Sequence, residues 1–536
     1  MSIESRIHHK GTKDTKKTKG ESSFELLSCF RLLCVLCAFV VSPNAFAAPP
    51  TLTSLYPAGA QRGTTVEVTP TGTLDAGTKV WASGSGVSVE VVKGKLKVTV
   101  AEAAAPGTYW LRAHNAEGAS APRPFIVGTL PDVAEKEPND DSKRPQTIDR
   151  DCVVNGKLEK SGDVDSFAVQ LKKGQTLVAS LEAHHTLRSP MDAMLQIVSA
   201  DGLVLEENND WRGLDPQIAF TAKKDGIYVA RVYAFPAQPD TSVRYFGSDS
   251  CVYRLTLTTG PFADFAVPPL VNADKPVTEL RGWNLTPVVQ KALLFARGPT
   301  DDLLSVYGPD VANVVPVRGD PRRGTFGIIE QPGGETRLEL TCVKGRTLTL
   351  IAESRSHGLA ANPVVRVVDA DKKELARAVP GKLNGDTTLT FTPPADGPYW
   401  AVVSDLYAGG GPRHLVLLRT LWEPDYELSV AADRFTVAPG KPAQVVVKVA
   451  RVRGFNKPVE VVAEGLPAGV KAEVVQPAKP DPNTITLSLT ADKTASGAFR
   501  LVGKVKDEPK LTRTARFTMA DFEVSTPDLW VTSQGK

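Results

Sequence analysis

Apolar and polar residues alternate with a period of two through most of this chain, in short runs broken by Gly, Pro, Asn and Asp. Val66-Glu67-Val68, Leu96-Lys97-Val98-Thr99-Val100, Tyr253-Arg254-Leu255-Thr256-Leu257 and Ala443-Gln444-Val445-Val446-Val447-Lys448-Val449 are examples. A period of two sends successive side chains to opposite faces of a strand, so each run offers one face to a core and one to water. No long helical pattern follows the N-terminal segment, and 43 Gly and 41 Pro supply the turns. The expected fold class is all-β, as tandem β-sandwiches.

A second regularity divides the chain. At an offset of 171, Lys173-Gly174-Gln175-Thr176-Leu177 matches Lys344-Gly345-Arg346-Thr347-Leu348, Glu182 matches Glu353, Phe220 matches Phe391, and Asp225-Gly226-Ile227-Tyr228 matches Asp396-Gly397-Pro398-Tyr399. The spacing holds without a gap, so one sandwich occurs twice, over residues 135–260 and 318–420. A smaller unit precedes each copy, at 50–128 and 262–317. A last sandwich spans 424–524, and 525–536 reads as a frayed tail. A chain of 536 residues accommodates such an array, at ~100–150 residues per domain.

Residues 1–47 hold seven Lys/Arg and four Asp/Glu, which accounts for the whole net charge of +3. The neutral remainder argues against nucleic acid or an anionic membrane surface as a partner. In the same segment a basic stretch precedes the apolar run Leu32–Val41, followed by Ala45-Phe46-Ala47, an A-x-A cleavage pattern. That run is too short for a span of ~20 residues. Residues 1–47 are therefore expected to be an export signal, and the processed chain to be secreted, periplasmic or at the cell surface with no membrane span. The remaining cysteines are Cys152, Cys251 and Cys342. Cys152 opens the first strand of one module and Cys251 opens its last, which leaves two readings: a Cys152–Cys251 disulfide, or three buried free thiols.

Two acidic runs stand out, Glu135-Lys136-Glu137-Pro138-Asn139-Asp140-Asp141 and Gly162-Asp163-Val164-Asp165-Ser166-Phe167. Together they supply enough hard oxygen ligands for one or two Ca²⁺ ions. The alternative is a solvated acidic linker and a turn whose Asp side chains bond local N–H groups. In the second copy the offset places Gly334 and Thr336 where Asp163 and Asp165 stand, so no calcium is expected there.

Residues 135–260 resemble the bacterial pre-peptidase C-terminal domain. The likeness rests on Glu137-Pro138-Asn139-Asp140, Gly156, Gly162-Asp163-Val164-Asp165-Ser166-Phe167, Lys173-Gly174-Gln175, Asp201-Gly202, Asp225-Gly226-Ile227-Tyr228 and Tyr253-Arg254-Leu255. That family is a jelly-roll-like sandwich found beside secreted proteases. The similar collagen-binding domains of clostridial collagenases bind calcium. Carried over, the resemblance implies Glu135, Glu137, Asn139, Asp140, Asp163 and Asp165 as ligands. Ser161 and Gly162 stand where the collagenase pattern has a further Asp, which implies one ion rather than two. Residues 50–128 resemble IPT/TIG immunoglobulin-like domains through Tyr56-Pro57, Arg62-Gly63-Thr64 and Pro106-Gly107-Thr108-Tyr109. Residues 424–524 are similar to bacterial Ig-like domains. The combination is similar to multi-module secreted proteins of planctomycete-type bacteria.

Among the aromatics, Tyr228 and Tyr399 sit in D-G-x-Y turns and are expected in the core. Trp211 and Tyr233 are the candidates for an exposed ligand-binding strip. The histidines fall in no H-E-x-x-H or triad pattern, and there is no G-x-S-x-G or P-loop. His184-His185, read as strand residues, point to opposite faces and cannot easily share a metal. The expected protein is non-catalytic, a secreted binding or adhesion protein whose partner is an extracellular protein or a polysaccharide or envelope component. The alternative is an accessory or targeting subunit of a secreted protease or other hydrolase.

Overall fold

The computed structural model describes residues 48–534, apart from 239–240, 242–243, 298–302, 320–323, 383–384, 477–478 and 480. The export signal expected at 1–47 lies outside the described residues. The regular structure described is nearly all β, arranged as β-sandwiches in tandem. Among the described residues no helix is long and apolar enough to cross a membrane.

The sheets fall into five successive groups, called here the first to fifth modules. In the first, Ser54–Tyr56, Thr65–Thr71, Lys95–Val100 and Val87–Val92 form one sheet. Gly59–Gln61, Arg123–Gly128, Gly107–His114 and Lys79–Ala82 form the other. Strict alternation survives folding, since Leu96, Val98 and Val100 are buried while Lys95, Lys97 and Thr99 are exposed. The third module is smaller, a two-stranded and a three-stranded sheet around Leu280, Val306 and Val317.

The second and fourth modules are the two repeat copies. In the second, Gln146–Ile148, Asp165–Leu171, Gly226–Pro236, Met191–Ser199 and Val204–Asn208 face Gln217–Thr221, Thr176–Glu182, Val252–Thr258, Cys152–Lys157 and Asp132–Ala134. The fourth repeats this order without the flanking strands Gln146–Ile148 and Asp132–Ala134. Register and side-chain bonds are duplicated as well. Phe167 pairs with Ala230 and Leu338 with Ala401. Lys173 N donates to Asp225 Oδ1 and Lys344 N to Asp396 Oδ1, each at 2.7 Å. Tyr228 and Tyr399 are buried, each donating its hydroxyl to the carbonyl four residues earlier at 2.9 Å. Each ring fills the core and satisfies its one polar atom locally, as a buried Tyr requires.

Three expectations are corrected. Residues 525–536 are not simply a frayed tail, because Leu529–Gln534 is an interior strand between Arg434–Val437 and Thr494–Val505. Leu529, Trp530 and Val531 are buried there, and Trp530 packs against Trp81 and His114 of the first module. His184 and His185 lie in a short helix, His184–Leu187, whose first N–H groups are held by the buried Asp215. Cys152 and Cys251 are free. Their strands do neighbour each other, but antiparallel, with Cys152 opposite Leu257 and Lys157 opposite Val252. The two cysteines therefore lie at opposite ends of the pair, about 20 Å apart at ~3.4 Å per residue, far beyond the ~7 Å a disulfide spans. Burial pushes the thiols of Cys152 and Cys342 up to about 11, so they remain protonated.

Candidate metal centre

The site begins with a pinned linker. Asp132–Ala134 pairs in parallel with Cys152–Lys157. Asp132 is fixed by Arg254 (Nη1 to Oδ1, 3.0 Å), by Asn155 Nδ2 (2.8 Å) and by the backbone N–H of Gln61 in the first module (2.6 Å). This anchor delivers Glu135 to the strand end, where its Oε2 accepts from Lys157 N at 2.7 Å. Glu137 Oε2 then accepts from Asn139 N at 3.0 Å, folding the acidic run back on itself.

The second acidic run arrives from the facing sheet. Asp165 opens Asp165–Leu171 and is fully buried. Tyr253 joins the two runs, with its hydroxyl 2.6 Å from Asp165 Oδ2 and 3.3 Å from Glu135 Oε1. It reaches them by lying across Gly156, its strand partner; a Cβ at Gly156 would sit 2.1 Å from the ring. Oxygens of Glu135, Glu137 and Asp165 all fall within 4.8 Å of one another. Asp140 and Asp163 form a neighbouring carboxyl pair, with Asp163 Oδ2 accepting from Glu159 N.

Charge here is uncompensated. Among the described residues no Lys or Arg forms an ion pair with Glu135, Glu137 or Asp165. Lys157 turns its ammonium away to Glu159 and Asp249. Burial, then the Glu135 carboxyl beside it, pushes Asp165 from the usual 3.8 up to about 10. Burial also raises Glu135, Glu137 and Asp163, and Asp140 raises Asp163 further. Asp165 Oδ1 and Asn139 Oδ1 are buried with no hydrogen-bond partner, on residues only 0% and 1% exposed. A buried acceptor left unpaired costs about 1–3 kcal/mol, so these two oxygens, one of them on a carboxyl of the cluster, leave the site short of a donor or a cation.

The structure thus brings together Glu135, Glu137 and Asp165, with Asn139 between them in the chain, and sets Asp140 and Asp163 beside them as a second pair. The sequence reading missed Tyr253 and Arg254 as parts of the site. A glycine facing an aromatic across a strand pair, Gly156 and Tyr253, is the signal that points to them. In the fourth module Gly327 faces Val416, and Thr336 holds the position of Asp165. The hydroxyl and the carboxylate have gone together.

The aromatic candidates fare differently. Trp211 is the centre of a seam between modules. Its Nε1 donates to Asp264 Oδ1 at 3.0 Å, the Arg413 guanidinium lies 4.3 Å above its ring, and Trp283 packs at 5.9 Å. Tyr233 is buried under Tyr245, ring centroids 4.5 Å apart. Neither offers a free face. Tyr245, 37% exposed, and the half-buried Phe235 are the accessible rings of that cluster.

A scan against protein-family models finds no match to this sequence, and a search of curated proteins finds none either. Solved structures give distant likenesses. The pre-peptidase C-terminal domain of Bacillus anthracis collagenase aligns at 14% identity over 23% of this chain and 100% of its own, TM-score 0.17. The Bacteroides ovatus mixed-linkage glucan utilization protein SGBP-B, solved with a heptasaccharide, aligns at 11% identity over 70% and 74%, TM-score 0.16. The four N-terminal Ig domains of Dscam1 align at 11% over 91% and 98%, TM-score 0.18. With scores this low, the fold assignment rests on the strand pairing described above.

Proposed function

We propose that this is a non-catalytic binding protein of the cell exterior, of pre-peptidase C-terminal and Ig-like modules, whose second module is braced by calcium. The observation that carries the reading is the convergence of Glu135, Glu137 and Asp165 around buried, unpartnered Asp165 Oδ1 and Asn139 Oδ1. All donors are hard oxygens, which suits Ca²⁺ with its six to eight oxygen ligands at ~2.3–2.6 Å and disfavours softer metals. Asp140 and Asp163 would complete the shell or its surroundings. Calcium at this place ties the linker run to the facing sheet and compensates charge that the chain otherwise protonates.

The bound partner, on this reading, is an extracellular protein or polysaccharide. Tyr245 and Phe235, beside the Tyr233 ring that Arg231 covers, form the accessible part of an aromatic face suited to stacking on either. Isothermal titration of the chelated, full-length chain with Ca²⁺ tests the brace. Heat from one site, lost in Asp165→Asn, supports it, and no heat at millimolar Ca²⁺ removes it.

A further inference from the structure

The fifth module meets the first at two aromatic contacts, with His114 built into one and His184 of the second module lining a cleft beside the other. At one, Arg112 of the first module pairs with Asp433 of the fifth at 2.7 Å, both side chains 5% exposed or less. Trp530 covers this pair, with Arg112 5.8 Å, Trp81 6.1 Å and His114 4.6 Å from its ring. His114 Nδ1 lies 3.3 Å from Ser496 Oγ, which also accepts from Trp530 Nε1 at 3.1 Å. At the other, Phe522 packs edge-on against Trp110 at 5.0 Å and under Arg123 at 5.3 Å. Next to it Glu523 faces Arg188 of the second module and Lys382 of the fourth, at 3.9 and 3.3 Å. His184, Arg188 and Asp521 line a cleft of about 380 Å³ at this junction.

We propose that the fifth module is an acid-releasable clasp: protonation of His114, half-buried between the first and fifth modules, breaks their contact and frees the fifth module from the first.

The surroundings of His114 explain the direction. Its cross-strand partner is Lys79, and Arg112 lies two residues along its own strand. From the fifth module Arg434 adds positive charge, while Asp433 and Asp528 are engaged with Arg112, Arg434 and Arg500. Glu117, on the adjoining turn, is bonded to Gln534. A proton on His114 would sit beside Lys79 and Arg112, with the nearby acids Asp433 and Asp528 already paired. The attraction of an imidazolium for the Trp530 face works the other way. Burial outweighs it, followed by Lys79 and Arg112, and holds His114 down at about 4 against an ordinary 6.5. His184 is likewise lowered by burial and by Arg188, against the pull of Glu523. A histidine held low in the closed form and released in the open one leaves closure unaffected above pH ~6.5. It weakens closure by up to ~10-fold per pH unit below that, roughly 160-fold by pH ~4.

Small-angle scattering and far-ultraviolet circular dichroism of the full-length protein in saturating Ca²⁺, from about pH 7.5 to about pH 4, test the clasp. The radius of gyration should rise below pH ~5 with the β signal intact. His114→Gln and His114→Phe, which do not titrate, should stay compact. Phe522→Ala, weakened at the second contact, should expand at higher pH than the wild type. Compact wild type and Phe522→Ala down to pH ~4 would overturn the proposal. So would His114 variants that expand as the wild type does, or expansion that coincides with loss of the β signal.

Discussion

Asp165 lies opposite Val232 in the second module, and Thr336 lies opposite Val403 in the fourth, the same step of the same strand pair 171 residues apart. One duplicated backbone therefore holds a buried carboxylate in one copy and a hydroxyl in the other. The fold does not need the acid, which makes the cluster a local addition to the second module.

Calcium should stabilise only the module that has the acids. In thermal melts, adding Ca²⁺ at about 100 times its dissociation constant should add roughly 2.7 kcal/mol to the second module, a shift of several degrees. Chelator should remove it. Asp165→Asn should abolish the shift. Thr336→Asp should not create one in the fourth module, where Val416 stands in place of Tyr253 and the linker run has no counterpart.

Without calcium the second module should grow weaker as pH rises. Asp165 is raised from 3.8 to about 10 in the folded state. A carboxyl raised on folding is stabilising in its protonated form, fully so below ~3.8, and that stability is lost as pH climbs towards ~10. Urea midpoints measured in chelator should therefore fall between about pH 5.5 and about pH 8.5, with a slope of at most ~1.4 kcal/mol per pH unit. Asp165→Asn should flatten the slope. Calcium should do so as well, because it favours the ionised carboxylates.

Gly156 should tolerate no side chain. A Cβ there meets the Tyr253 ring at 2.1 to 2.6 Å on a strand buried in the sheet. Gly156→Ala should cost about 1–3 kcal/mol by overpacking and displace the Tyr253 hydroxyl from Asp165. Urea melts measure the first effect and calcium titration the second. Tyr253→Phe keeps the packing but strips the buried Asp165 Oδ2 of its donor, so it should cost the chelated protein about 1–3 kcal/mol and alter calcium affinity as well.

Much of this molecule is legible from its residues. Alternation alone marks Leu96, Val98 and Val100 as core, and the 171-residue offset finds the shared turns of Asp225 and Asp396. The acidic runs were legible as a cluster because carboxylates gather in sequence. What joins them was not, since Tyr253 comes from a strand 88 residues beyond Asp165. Of the two readings of the cysteines, the disulfide failed on strand direction, which no local pattern reports, and the buried free thiols stand. Trp211 read as an exposed aromatic because the sequence does not show Asp264 and Arg413 converging on it. The last strand was misread because Thr532-Ser533-Gln534 is polar, and Trp530 is held by residues of the first module.

That strand carries a further prediction. Leu529–Gln534 sits between Arg434–Val437 and Thr494–Val505, so a chain ending at 524 loses an interior strand. Such a truncation should unfold the fifth module outright, read as protease sensitivity confined to residues beyond 424. Trp530→Ala is the milder form. Removing a buried Trp costs about 3–5 kcal/mol. Here it also uncovers the Arg112–Asp433 pair, whose side chains are 2% and 5% exposed. The same pair sets a sharper test. Asp433→Asn leaves Arg112 buried without its counter-charge, which costs about 3–5 kcal/mol, whereas Arg112→Met with Asp433→Leu removes both charges and should recover most of that loss. If the double variant is no more stable than Asp433→Asn in urea melts, a buried, unpaired Arg112 is not what destabilises Asp433→Asn.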